Sequence, residues 1–244
     1  MTTLEGRTVI ITRAADRGSA LADQLRSLGA DVMELPLTRT EEAVDGGAEL
    51  VAAIGRLAEY EWVVVTSPEG ARRFASAVAA RGLDLRALRA HGLHLAAVGE
   101  ATADALGGAD LVPSTQTGST LGDEFPAGEG RVLLAVAEGA GTDFEERARA
   151  KGWTVDRVTS YRTVPIEMAP AVYGDIAHAD AVAFASSSAV EAWVAVFGTL
   201  CPRAVVAIGP STTETAQRLG LHGVHTAQDH SITGLARMVA RVLG

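Results

Sequence analysis

Residues 8–37 read TVIITRAADRGSALADQLRSLGADVMELPL, and their pattern sets the architecture. Thr8-Val9-Ile10-Ile11-Thr12 is a short β-branched run, the signature of a buried strand. A polar turn follows at residues 13–18. Leu21, Leu25 and Leu28 then recur at helical spacing and draw one apolar stripe, which Gly29 ends. Residues 32–37 return to extended character, broken at Pro36. Strand, helix and strand in this order predict a βαβ unit with parallel strands and a right-handed crossover.

The chain carries this unit twice. Val9 and Val132 stand 123 residues apart, and the same offset carries Gly18 onto Gly141, Arg26 onto Arg149, Gly29 onto Gly152 and Val32 onto Val155. Residues 62–67 (WVVVTS) match residues 181–186 (AVAFAS) at an offset of 119. Residues 97–102 (AVGEAT) match residues 207–212 (AIGPST) at 110. The offset falls stepwise, as it does when loops are shorter in the second copy. Residues 62–67 and 94–99 read as further strands, each followed by a helix, from about Pro68 and from about Glu100. The expectation is an α/β protein with two similar doubly wound parallel-sheet domains, built from half-chains of about 120 residues.

Composition narrows the chemistry. The 244 residues hold 21 basic and 30 acidic side chains, a net charge of −9, and 48% are hydrophobic. A chain this apolar buries enough surface to offset its ordering entropy, which excludes disorder. Cys201 is the single cysteine, which excludes a disulfide scaffold. Apolar runs such as residues 132–137 are strand-sized, so no membrane span is expected. With no secretory signal at the start, a cytoplasmic location is expected. Net negative charge without a basic run argues against nucleic acid as a partner. No large apolar or heptad surface demands a second chain, so a monomer is expected. Lys151 is the only lysine, which removes the Walker-type phosphate loop. It falls at a basic helix end before Gly152 and reads as an exposed charge favoured by the helix dipole. The six histidines form no H-E-x-x-H pattern and have no cysteine partners, so no metal site is expected. No G-x-S-x-G elbow and no G-x-G-x-x-G fingerprint appear.

Doubly wound sheets bind ligands at the carboxyl ends of their strands. Four matched strand ends here carry hydroxyls, at Ser67 and Ser186 and at Thr102 and Thr212. Helix N-capping accounts for each of them singly; together they also suit a cleft rich in donors for carboxylates. Arg13 follows Thr12 at the end of the first strand and is placed either to grip a carboxylate bidentately or to serve as a surface charge. Tyr161 lies in VTSYRTVP, residues 158–165, and falls on Thr38 in the repeat alignment. Both segments read as extended connectors between domains. A tyrosine there borders a cleft or fills an interface.

These segments, in this order and nearly throughout the chain, resemble the uroporphyrinogen-III synthase family. The likeness runs through residues 11–13, 28–32 with Pro36, 65–70, 97–103, 152–163, 184–186 and 207–212. The resemblance implies two α/β domains joined by a two-stranded linker with a cleft between them. Residues 1–37 would pack with 167–244, residues 41–160 would form the inserted domain, and the linkers would lie near 38–40 and 161–166. It further implies a cofactor-independent lyase reaction. Hydroxymethylbilane, a linear tetrapyrrole, loses water and closes with inversion of ring D through a spiro intermediate, giving uroporphyrinogen III for haem biosynthesis. Carried over residue by residue, Tyr161 is the candidate catalytic acid, and Thr12, Arg13, Ser67, Thr102, Ser186 and Thr212 are candidate substrate-binding residues. The competing expectation is a non-catalytic two-domain protein that binds an anionic metabolite.

Overall fold

The computed structural model describes residues 3–12 and 20–244. The chain forms two compact units, Met1–Arg39 with Val164–Gly244, and Thr40–Thr163. The first unit opens with β1 (Thr8–Ile11), α1 (Ala20–Ser27) and β2 (Asp31–Glu34). The chain then builds the second unit through β3 (Thr38–Glu41), α2 (Ala48–Ile54), β4 (Trp62–Val65), α3 (Pro68–Ala80) and α4 (Leu85–Ala90). It continues with β5 (His94–Ala97), α5 (Glu100–Leu106), α6 (Gly118–Glu124), β6 (Arg131–Ala137), α7 (Asp143–Ala150) and β7 (Thr154–Pro165). It returns to the first unit for α8 (Pro170–His178), β8 (Ala181–Phe184), α9 (Ser187–Phe197) and β9 (Ala204–Ala207). It ends with α10 (Pro210–Arg218), β10 (Val224–Thr226) and α11 (Ile232–Leu243).

Each unit holds one five-stranded sheet, in the orders β10-β9-β8-β1-β2 and β3-β7-β6-β4-β5. The pairings β1–β2, β8–β1, β8–β9, β9–β10, β4–β5, β4–β6 and β6–β7 are all parallel. Registers repeat the sequence offsets residue for residue. Thr8 pairs with Asp31 and Arg131 with Thr154, both partners shifted by 123. Trp62 pairs with His94 and Ala181 with Ala204, shifted by 119 and 110. The copies are exchanged, because β6 of the second copy pairs with β4 of the first and β1 of the first pairs with β8 of the second.

Helices cover both faces of each sheet, so central strands are apolar at successive positions rather than alternately. In the second unit Val63 and Val65 enter a core with Phe74 and Leu95, while Val64 enters the opposite one with Phe125, Phe144 and Trp153. In the first unit Val9 and Ile11 face Leu25 and Leu235, while Ile10 faces Phe184 and Trp193. No helix among the described residues is long and apolar enough to cross a membrane.

Gly29 and Gly152 follow α1 and α7, with φ of +93° and +99°, a region L side chains rarely adopt. Their surroundings differ. A Cβ on Gly29 would lie 3.1 Å from Glu5 Cγ and 3.3 Å from the Glu5 backbone nitrogen, whereas one on Gly152 would lie 2.5 Å from the Gly128 carbonyl oxygen. The first contacts need give by only a few tenths of an ångström, whereas the second requires the Gly128 backbone to shift. Gly29→Ala should therefore cost about 1–2 kcal/mol for the backbone region alone, and Gly152→Ala clearly more, read as unequal losses in urea midpoint. Equal losses would show that the Gly128 segment moves aside freely.

Lys151, expected as an exposed charge favoured by its own helix dipole, is half-buried. Its Nζ donates to the carbonyls of Asp123, at 2.5 Å, and Phe125, at 2.6 Å. Those carbonyls close α6, and a helix C-terminus leaves its last carbonyls without partners. The ammonium thus serves a neighbouring helix as well as its own, and α6 has no strong periodicity to announce it.

Candidate functional site

The polar residues cluster at the carboxyl ends of the parallel strands, separately in each unit. In the second unit Ser67 follows β4 and caps α3, its Oγ accepting the Gly70 N–H at 3.1 Å. Pro68 occupies the first helical position, where its missing N–H costs nothing. The Tyr161 hydroxyl lies 3.1 Å from the same Ser67 Oγ. The helix cap, the serine and the phenol therefore form one chain of hydrogen bonds.

Tyr161 reaches this position through an irregularity in β7. Val136 pairs with Thr159 and Ala137 pairs with Tyr161, so Ser160 is the extra residue of a bulge. A bulge shifts the facing of the residues that follow it, and such features concentrate beside functional sites. Here it lets Ser160 and Tyr161 both be buried, at 3% and 8% exposure, although they are neighbours in a strand. The Ser160 hydroxyl has no partner among the described residues. The reading of residue 161 as part of a connector is refined accordingly, since Tyr161 is the eighth residue of a 12-residue strand.

Two residues of α3 flank the phenol ring. Gly70 lies beside it, and a Cβ there would sit 3.8 Å from Tyr161 Cε1 and 3.1 Å from Ser67 Oγ. The Arg73 guanidinium lies over the ring, 5.8 Å from its centroid, within the range of a cation–π contact. Glu69 accepts from Arg73 at 2.9 Å and from Arg72 at 2.8 Å, which fixes both guanidiniums. Burial pushes the Glu69 carboxyl up, but the two arginine hydrogen bonds and charges outweigh it and hold the group below its ordinary value.

The first unit repeats the corner without a tyrosine. Ser186 follows β8 and caps α9, accepting the Ala189 N–H at 3.2 Å. Ser187 Oγ stands 3.3 Å from Ser211 Oγ, joining the starts of α9 and α10. Thr12 directly follows β1 and is half-buried. Arg13 lies outside the described residues.

Thr102 and Thr212 occupy equivalent places in the first turns of α5 and α10, and both are buried, at 2% and 4% exposure. Each helix is capped by a glycine, Gly99 or Gly209, with extended backbone. These glycines leave room for a side chain from the following loop. A Cβ on Gly99 would meet the Gln116 amide oxygen, and one on Gly209 would lie 3.3 Å from the His230 ring. Gln116 and His230 are thus paired polar residues that sequence reading missed. The signal was present, since each precedes a hydroxyl N-cap, Thr117 for α6 and Ser231 for α11.

A concavity of ≈ 180 Å³ opens among Thr66, Val98, Gly118, Gly141 and Asp143, where β4, β5 and β6 end and α6 and α7 begin. Thiolate chemistry has no seat at these corners. Burial pushes the Cys201 thiol up to about 11, so it stays protonated at neutral pH.

These features define a class: a duplicated α/β protein whose two parallel sheets each end in hydroxyl-bearing corners, one of them holding a tyrosine. Comparison with known proteins specifies it. The family described as uroporphyrinogen-III synthase HemD matches residues 19–237. The chain is 25% identical to the chloroplastic uroporphyrinogen-III synthase of Oryza sativa subsp. japonica over 96% of its length and 80% of the relative's. It is 26% identical to the uroporphyrinogen-III synthase of Synechococcus elongatus, covering 95% of this chain and 94% of that one. It is 30% identical to the porphyrin biosynthesis protein HemD of Ruminiclostridium josui, covering 91% of this chain but 46% of that longer protein. In fold it is similar to a mutant uroporphyrinogen III synthase from the extremely thermophilic bacterium Thermus thermophilus, with TM-score 0.62, 20% identity and coverage of 97% and 98%. The uroporphyrinogen-III synthetase from Helicobacter pylori also gives a TM-score of 0.62, at 12% identity and coverage of 97% and 99%. The chain belongs to the uroporphyrinogen-III synthase family.

Proposed function

We propose that the chain closes hydroxymethylbilane to uroporphyrinogen III, with Tyr161 as the general acid. Tyr161 donates its proton to the terminal hydroxyl, which leaves as water and generates a cation conjugated with its pyrrole. Ring D attacks the methylene of this cation through its substituted α-carbon, giving a spiro intermediate. The bond from that carbon to the ring C methylene then breaks, leaving a cation conjugated with ring C, and the free α-carbon of ring D attacks it so that the ring closes inverted. Loss of a ring proton then restores the neutral macrocycle, and a proton returns to the phenolate. General-acid assistance of this kind contributes about 10²–10⁴-fold. The uncatalysed alternative is closure without inversion, so holding the chain bent is the larger part of the task.

The observation that carries this reading is the Tyr161 hydroxyl held 3.1 Å from the Ser67 Oγ at the start of α3. Thr12, Arg13, Ser67, Thr102, Ser186 and Thr212 bind the substrate carboxylates in this reading, together with backbone N–H groups at the helix starts. No cofactor takes part in this reading.

Incubation with enzymatically generated hydroxymethylbilane, oxidation and chromatography test the activity. The expected product is the type III isomer, formed faster than spontaneous closure. The type I isomer alone, at the spontaneous rate, would leave the chain a binding protein.

A further inference from the structure

A second concavity lies within the first unit, at the opposite end of the sheet from the hydroxyl corners. It has a volume of ≈ 770 Å³ and is bordered by residues at or just before the starts of β1, β8 and β9, by the whole of the three-residue β10, and by the last turns of α11. Small-molecule sites fall at about 300–1,000 Å³. Val224, Met238 and Val242 supply an apolar lining, and Arg7, Arg203 and Arg241 contribute charge. Arg7 is matched by Asp180 at 2.9 Å. Asp180 is already committed to the backbone as well, accepting the Thr8 N–H at 2.9 Å. Arg203 and Arg241 make no ion pair among the described residues.

The concavity is therefore a positive island on a chain whose net charge is −9. Many arginines elsewhere are matched by carboxylates, as Arg26 is by Glu34 and Arg147 by Asp123, and of the arginines without an ion pair among the described residues only Arg203 and Arg241 line this concavity. Two unmatched guanidinium forks beside an apolar wall suit a ligand with an oxyanion at one end and an apolar body at the other. We propose that this concavity binds a compact organic anion, a carboxylate, sulfonate or phosphate borne on an apolar ring or chain. Arg203 and Arg241 grip the oxyanion, and Met238 and Val242 cover the body. The site is independent of the reaction assigned to the strand ends.

Fluorescence titration of the full chain with 8-anilinonaphthalene-1-sulfonate tests this, with N-phenyl-1-naphthylamine as the uncharged counterpart. Arg203→Gln/Arg241→Gln is compared with Arg86→Gln/Arg218→Gln, which removes the same charge elsewhere; circular dichroism confirms that both fold. The expected result is a saturable sulfonate site weakened at least tenfold by the first pair and less than twofold by the second. The uncharged probe should show no difference between the two variants. The proposal is overturned if the sulfonate does not bind saturably or binds both variants alike. It is overturned equally if the uncharged probe shows the same arginine dependence.

Discussion

Tyr161→Phe should lower turnover by about 10²-fold or more while the protein remains folded. The substitution deletes one atom, the hydroxyl that meets Ser67 Oγ at 3.1 Å. The ring remains beside Gly70 and beneath Arg73, and a phenylalanine face serves a guanidinium as a tyrosine face does. Ser67 still accepts the Gly70 N–H, so the cap of α3 survives. Losing one part-buried hydrogen bond costs about 1 kcal/mol, a small shift in a denaturant midpoint. The rate should fall through kcat with KM nearly unchanged, because an acid acts on the leaving hydroxyl rather than on the carboxylates that hold the substrate. As turnover slows, spontaneous closure competes, and the type I fraction should rise. Unchanged kcat would remove Tyr161 from the acid role. A variant that fails to fold would make the phenol structural, and Ser67→Ala then separates the cases: it costs about 1 kcal/mol as a lost cap, and it leaves the phenol in place.

The duplicated fold was legible because its repeat rests on local chemistry. Apolar β-branched runs specify central strands, and Gly29 and Gly152 end equivalent helices at positive φ. Offsets read from such residues reappear as strand registers, Thr8 with Asp31 and Arg131 with Thr154. The serine corners were legible for the same reason, since a hydroxyl before a helix caps it whether or not it also binds a ligand. What escaped sequence reading depends on partners distant in the chain. The bulge at Ser160 exists only as a mismatch between β6 and β7, and nothing in VTSYRTVP separates it from regular alternation. Lys151 looked like a charge for its own helix end because its acceptors, the carbonyls of Asp123 and Phe125, belong to a helix without strong periodicity. Gln116 and His230 take meaning only beside Gly99 and Gly209. Local rules thus located the corners, and tertiary pairing decided which side chains fill them.

Trp193→Ala should be the most damaging single truncation in the first unit, at about 3–5 kcal/mol. Trp193 lies on α9 and is fully buried, at 0% exposure. Its ring meets Phe184 of β8 edge-on at 5.7 Å and Phe197 of its own helix at 4.8 Å. Leu35, Ile176 and Val205 belong to the same core, so the indole joins the β2 exit, α8 and β9 to one helix. Alanine leaves a cavity bordered by these groups and strips the Leu200 carbonyl of the indole N–H that now reaches it at 2.8 Å. Trp193→Phe separates the two losses. It retains most of the aromatic volume and orphans only the carbonyl, for about 1–3 kcal/mol. The loss belongs to the first unit, which supplies Ser186 and Thr212 but not Tyr161. Equilibrium unfolding of the alanine variant should therefore show one transition moved to lower denaturant and one near its original place, if the two units unfold separately, or a single midpoint moved by the whole amount if they unfold together. A loss under about 1 kcal/mol would show that α9 collapses onto β8 and refills the space, and that the core of this unit is far more plastic than its close aromatic packing implies.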